Sequence, residues 1–199
     1  TIEYSTDGGT TWSTTAPTAT EGANTVSVRE VDTAGNASAA TDITFTLDTT
    51  APVVAVNDIT LTNDTTPELT GTVDDANATV VVTIGGVDYP AVNNGDGTWT
   101  LADNAVAALA DGTTTVSVSA TDVAGNEGTG SGTVVVDATA PDAPAVALTT
   151  DSGTAADLIT NDGALTVTPN EATSTIEYST DGGTTWSTTA PTATEGANT

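Results

Sequence analysis

An all-β chain built from tandem sandwich domains is predicted by three observations. Apolar residues fall in short alternating runs, clusters of Gly, Asn and Asp separate those runs, and long stretches of the sequence recur. Alternation with a period of two gives a strand one buried and one solvated face. In 115–121, Val116, Val118 and Ala120 share one face, and Ser117, Ser119 and Thr121 share the other. High charge with few aromatics also describes disordered chains, but the ordering of the apolar residues argues for strands.

The recurrence sets the domain organisation. Residues 1–25 return letter for letter as 175–199. A shorter, degenerate repeat lies inside that one. The linker Asp48-Thr49-Thr50-Ala51-Pro52 returns as Asp137-Ala138-Thr139-Ala140-Pro141, and TVSVREVDTAGN at 25–36 returns as TVSVSATDVAGN at 115–126. Two related domain types of about 85 and 89 residues therefore alternate. The chain divides into the C-terminal half of one domain (1–48), a complete domain (49–137) and the N-terminal half of the next (138–199). Repetition with so little drift marks an array of stacked or strung units. Residue 1 is a Thr in mid-pattern with no starting Met or signal peptide, so a piece of a longer array is expected.

The complete domain reads as seven strands, at 53–60, 68–73, 78–85, 87–92, 98–102, 114–121 and 133–137. Gly85-Gly86 and Asn94-Gly95-Asp96-Gly97 close hairpins, because these residues tolerate positive φ. About seven short strands at this spacing is the immunoglobulin-like Greek-key sandwich pattern. The predicted core is Val, Ile and Leu with one Trp, Trp99. In the linker, Pro52 lacks a donor and holds Ala51 extended, so the connection is a stiff joint.

Composition narrows the function. The chain carries 27 acidic residues and one basic residue, Arg29, for a formal net charge of -26. Nucleic acid is excluded as a partner, since its affinity comes from Lys and Arg on phosphates. Anionic membrane surfaces repel such a chain, and no apolar run is long enough to span a bilayer. Without Cys, His or Lys, thiolate chemistry and the usual bases and amine nucleophiles are missing. Cations are the natural partners.

The D-T-T-A-P linkers, the V-D-T-A-G-N and T-D-V-A-G-N loops and the E-Y-S-T-D-G-G-T-T-W-S block resemble the bacterial immunoglobulin-like tandem repeats of giant RTX-type adhesins. The resemblance covers essentially the whole chain. It implies a secreted, extracellular stalk at the bacterial cell surface, stiffened by calcium at or near domain junctions and serving adhesion or biofilm formation. Its partners are neighbouring repeats of the same polypeptide.

The acidic loops are the candidate calcium ligands. In a sandwich of this type the second-to-third and sixth-to-seventh strand loops lie where the chain enters. That places Asp74, Asp75, Asp122 and Asn126 near the linker Asp48, with carboxylate and carbonyl oxygens of the kind calcium takes six to eight at a time. By the same geometry, Asp137 is expected to meet Asn170, Glu171 and a loop with the sequence of Asp32-Thr33-Ala34-Gly35-Asn36. Glu30 is either a further ligand there or an exposed strand end. A second cluster, Asp151, Asp157 and Asp162, lies in a Gly-containing loop without the spacing of an EF-hand. Each of these residues is also an ordinary turn former. The set as a whole favours calcium, because clustered carboxylates without cations are costly.

Two further motifs have plain readings. Ser5-Thr6-Asp7-Gly8-Gly9-Thr10-Thr11-Trp12 fits the S-x-D-x-G-x-x-W box of sialidase-like propellers, but a sialidase needs an arginine cluster, so a hairpin with Trp covering the strand pair is expected. Arg29 is expected to form a surface ion pair on the polar face of its strand, beside Glu30. The alternatives to a stalk are a self-assembling filament or a glycan- or surface-binding module, in which copies of the chain are partners. Enzymatic function, as a glycosidase, ranks last because no loop is long enough to build a cleft.

Overall fold

A computed structural model describes residues 1–196. All of its regular elements are strands. The chain forms two compact units, Thr1–Ala138 and Thr139–Thr199. In the first unit, β1 (Ile2–Ser5), β2 (Gly22–Glu30) and β3 (Thr41–Leu47) form an antiparallel three-stranded sheet in chain order. In the second, β12 (Ala145–Leu148) and β13 (Leu165–Thr168) form an antiparallel pair.

The central domain contains β4 (Val54–Val56), β5 (Ile59–Thr62), β6 (Leu69–Val73), β7 (Thr79–Ile84), β8 (Val87–Asn93), β9 (Thr98–Leu101), β10 (Gly112–Thr121) and β11 (Glu127–Val136). Their order is β4-β6-β9-β8-β7-β10-β11-β5. Strand β8 pairs with β7 through Val87–Ala91 and with β9 through Val92 and Asn93, so it passes from one layer of the sandwich to the other. Five of the predicted strands are present with small shifts in their ends, and the last is present as the longer β11. The predicted strand 53–60 is instead two. The chain changes layers at Asn57-Asp58, pairing first with β6 through β4 and then in parallel with β11 through β5. Asp58 secures the change, its Oδ1 accepting from the Thr133 N–H at 2.6 Å.

The core is a Val-rich seam between the layers. Leu69 and Val73 from β6 and Trp99 and Leu101 from β9 face Val80, Val82, Val116, Val118, Val134 and Val136. Trp99 is fully buried and its Nε1 donates to the Ala55 carbonyl at 2.9 Å. Gly71 makes room for it: a Cβ there would lie 2.0 Å from Ala55 O and 2.5 Å from Trp99 Nε1.

Strand β11 begins six residues earlier than predicted, because Glu127-Gly-Thr-Gly-Ser-Gly132 has no apolar residue and reads as a loop. Its glycines are set by close approach. A Cβ on Gly128 would meet Pro52 O at 1.7 Å, and one on Gly130 would meet Val54 O at 2.4 Å. The stripe lets the segment after the linker lie directly on β11. Gly130→Val should therefore lift β4 and destabilise the domain by about 1–3 kcal/mol or more. A thermal melt checks this, and an unchanged midpoint would mean that β4 is not held against β11.

Candidate functional site

The junction at Asp48–Pro52 is held from both sides. From the upstream half, Glu21 reaches the linker just before β2. Its carboxylate accepts from the Thr49 N–H at 3.2 Å and from Thr49 Oγ1 at 2.7 Å, with a longer contact to Thr50 Oγ1 at 3.5 Å. These bonds, the Thr49 hydroxyl foremost, hold the Glu21 carboxyl below its ordinary value. From the central domain, Asn126 Nδ2 donates to the Asp48 carbonyl at 3.0 Å. Asp74 Oδ1 accepts from the Val53 N–H at 2.7 Å, and the Asp74 N–H returns a bond to Val53 O at 3.2 Å. Pro52 is buried against Gly128.

The loop that presents Asn126 is a self-contained turn. Asp122 Oδ1 accepts from the Asn126 N–H and Oδ2 from Asn126 Nδ2, both at 2.8 Å. Gly125 closes it at φ 95°, a conformation only glycine adopts readily. The loop at 32–36 repeats the geometry, with Asn36 N and Nδ2 donating to Asp32 Oδ1 and Oδ2, also at 2.8 Å. Asn36 and Asn126 are the first causes of the depressed Asp32 and Asp122 pKa values. The D-x-A-G-N sequence thus closes the same turn in two domain types, and in the central domain its asparagine amide also donates to the preceding linker.

Glu21 was not legible as a site residue, yet its counterpart does the same work at the next joint. Asp111 precedes Gly112 as Glu21 precedes Gly22, and its Oδ1 accepts from the Ala138 N–H at 2.8 Å. In both places an acidic residue one position before the long strand holds the backbone one position beyond the junction Asp.

Of the predicted ligands, Asp48, Asp74 and Asn126 bond to backbone of the linker or of Val53 beside it, and Asp122 holds Asn126. Asn126 comes there as a donor, where the sequence suggested an oxygen ligand. Asp48 Oδ1 accepts from Thr50 N at 3.1 Å. Asp75 is turned into its own loop, accepting from Asn77 N at 2.8 Å. Asp137 ends β11, its N–H donating to Thr62 O at 2.9 Å. In the second unit, Asn170 Nδ2 donates to Ala143 O at 2.6 Å, and Glu171 O accepts from Ser174. Asp151 Oδ2, Asp157 Oδ1 and Asp162 Oδ1 accept from the N–H groups of Ala156, Ile159 and Ala164. The other oxygen of Asp151, Oδ1, is buried without a hydrogen-bond partner. Among the described residues no three acidic side chains converge as a ready-made metal group.

The S-x-D-x-G-x-x-W segment is a structural turn. Asp7 Oδ1 accepts from Thr10 N and Thr11 N at 2.9 Å, Asp7 Oδ2 accepts from Thr11 Oγ1 at 2.6 Å, and Trp12 Nε1 donates to Gly9 O at 3.0 Å. The copy at 179–186 closes in the same way. Arg29 pairs across the sheet with Glu3, not with Glu30 beside it, at 2.7 Å, and its guanidinium lies 4.0 Å from the centre of the Trp12 ring. The six carboxylates with displaced protonation, Asp7, Glu21, Asp32, Asp96, Asp122 and Asp181, are all displaced downward. Such groups are poor proton donors near neutral pH. A polar trough of about 720 Å³ lies on the outer face of β7, β10 and β11, lined by Thr83, Asp88, Ser117, Ser119, Glu127 and Ser131 among others.

Residues 55–138 match the family model of the bacterial Ig-like domain. The match and the two-layer topology agree on an immunoglobulin-like sandwich for the central domain. The chain is similar to the tetra-tandem repeat in the extending region of a large adhesion protein, with 28% identity over 75% of this chain and 44% of that one, at a TM-score of 0.44. It is also similar to a Ca2+-stabilized adhesin with which an Antarctic bacterium binds ice, with 30% identity over 65% of this chain and 36% of that one, at a TM-score of 0.38. A third similar structure, from a 1.5-MDa bacterial ice-binding adhesin, shows 26% identity over 68% of this chain and 53% of that one, at a TM-score of 0.34. The chain thus spans less than half of the first of these. No curated protein matches it. No described helix is long and apolar enough to cross a membrane.

Two outcomes are expected. Glu21→Ala should speed amide exchange at Thr49 several-fold while leaving the β10 amides unchanged. Hydrogen exchange followed by NMR checks this, and unchanged protection at Thr49 would mean that Glu21 does not hold the linker. The Asp7 carboxyl, lowered to about 2 with the Thr11 hydroxyl as first cause, gives a signed pH dependence. Because the folded value is depressed, the turn's contribution is complete above the ordinary value of 3.8 and is lost as pH falls toward about 2. A carboxyl carbon titration with its midpoint near 3.8 would contradict the bonding described.

Proposed function

We propose that the chain is a stalk segment of a secreted bacterial surface adhesin, a spacer that holds a distal module away from the cell. The observation that carries this reading is the linker held on both sides, by Glu21 upstream and Asn126 and Asp74 downstream, with the upstream device recurring at Ala138. A joint whose backbone groups are paired to both neighbours transmits the direction of one domain to the next. The adhesin setting is supported by the bacterial Ig-like family match and by linker and D-x-A-G-N motifs that resemble those of giant RTX-type adhesins. A net charge of -26 favours extension within the ~8 Å screening length of physiological salt.

Calcium is part of the proposal. The donors are hard oxygens of the type calcium uses. At the junction, the carboxylates of Asp48, Asp74 and Asp122 each accept bonds from protein donors that orient them, as groups behind a metal ligand do. The loop at 151–162 carries the specific supporting observation, the buried and unpartnered Asp151 Oδ1. There Asp151 would supply a ligand; the carboxylates of Asp157 and Asp162 do not converge with it in this structure and would have to move to join it. Calcium would supply the positive charge that this chain lacks.

The test is a calcium titration of the 199-residue chain, followed by melting and by small-angle scattering. Ligand at a hundred times its Kd adds about 2.7 kcal/mol to a form that alone binds it, a rise of several degrees in Tm, and the particle should lengthen. Asp151→Asn should reduce the rise. Identical melting and scattering in calcium and in chelator would remove calcium from the proposal and leave the side-chain clamps to set the joint.

A further inference from the structure

The chain enters and leaves the central domain along two neighbouring segments. Residues 52–62 run beside β11 over most of its length and in the same direction. Pro52 lies against Gly128, Val54 against Gly130, and Val56 and Asp58 against Gly132. Ile59 then pairs with Val134 and Thr62 with Val136 in the parallel register of β5 on β11, and the Asp137 N–H donates to Thr62 O at 2.9 Å. The incoming end of the domain therefore lies beside the start of β11, and the outgoing end lies beside the end of β5.

This arrangement fixes how the domain meets tension. In a tandem array a pull enters through the linker before Pro52 and leaves through Asp137. It draws residues 52–62 and β11 in opposite directions along their own length. Parallel neighbours loaded in this way must slide, and the bonds between them share the load. Antiparallel neighbours pulled apart at adjacent ends open one bond at a time.

The bonds concentrate where the chain changes layers. Asn57 ties it to β6, its N–H donating to Thr70 O at 2.9 Å and its Nδ2 to Thr70 Oγ1 at 3.1 Å. The next residue, Asp58, ties it to β11. Its Oδ1 accepts from the Thr133 N–H at 2.6 Å and from Thr133 Oγ1 at 3.2 Å. The ladder of β5 on β11 is short and shifts register between Val134 and Val136. The Asp58 side chain extends it toward the linker.

We propose that Asn57-Asp58 is a mechanical clamp, the point at which the central domain resists being pulled open through its linkers, with Asp58 its principal residue. The clamp rests on the stalk reading only for the direction of the load, and it uses none of the candidate calcium ligands. It keeps the domain folded, and a spacer at its working length, when the two ends of an array are drawn apart.

The test is single-molecule stretching of the 199-residue chain at constant force, in chelator, through a cysteine added at each end; the chain has no other Cys. The central domain is recognised as the longest single lengthening, roughly 250–300 Å at up to ~3.6 Å per residue released. Lifetime under force reports the unfolding rate. Asp58→Ala should shorten it about tenfold, the scale of a lost bond to a carboxylate. Asn93→Ala is the comparison. It removes two bonds of the same domain, from Asn93 Nδ2 to Asp75 O and to Ala78 O, both 2.9 Å, that tie β8 to the loop between β6 and β7 and not residues 52–62 to β11. It should lower the melting midpoint and leave the lifetime under force within about twofold. Asp58→Asn keeps an acceptor but not the carboxylate, and its lifetime should fall between wild type and Asp58→Ala. That shortening carries the test if the Ala variant does not fold. A wild-type lifetime in the Asp58 variants, or an equal loss in Asn93→Ala, would overturn the clamp. Because the experiment imposes the direction of pull, such a result leaves the adhesin reading where it stands.

Discussion

The pairing of the linker backbone with side chains on both sides of the joint is the constraint on which the rest depends. Five residues, Asp48–Pro52, connect two domains, and their N–H and C=O groups need partners in a segment that belongs to no sheet. Glu21 accepts from the Thr49 N–H, Asn126 Nδ2 donates a hydrogen bond to the Asp48 carbonyl, and Asp74 accepts from the Val53 N–H. Pro52 lacks a donor and is the one residue of the linker buried in the domain that follows. Acidic residues that cannot find cationic side chains in this chain find backbone N–H groups instead, and most of these partners lie in turns or at joints.

That constraint reaches into the fold. Holding residues 52–56 directly on β11 requires Gly128 and Gly130, and holding them over β6 requires Gly71, beside which Trp99 fills the interior. The core is otherwise aliphatic, mostly Val with Leu69, Leu101, Ile84 and two alanines. A thin core with a tightly seated first strand couples domain stability to the position of the linker.

Much of this architecture was legible in the sequence, and the misses have physical reasons. Alternation located β7, β9 and β10 closely because each alternates buried with less buried residues. It failed at the start of β11, where the alternating residue is glycine and the inward face is filled by another strand's backbone. It also missed the break between β4 and β5, since Asn57 and Asp58 act through Thr70 and Thr133, far away in sequence. The D-x-A-G-N loops were recognisable because every bond within them falls inside a stretch of five residues. Glu21 was not, because its partner lies 28 residues on and nothing nearby marks it. Arg29 could be placed on the outer face by parity, but the choice of Glu3 over Glu30 needed the register of β1 on β2. The acidic set could be placed near the linker from topology, while the atoms those carboxylates engage depended on which N–H groups each turn presents.

The heteronuclear 15N NOE at Thr49, Thr50 and Ala51 in the intact chain tests the central claim most directly. Linker backbone held from both sides should give values equal to those of β10 and β11 in the central domain. Values falling to those of a free loop at all three residues would contradict the account, because a joint that moves on that timescale cannot set the direction of a stalk.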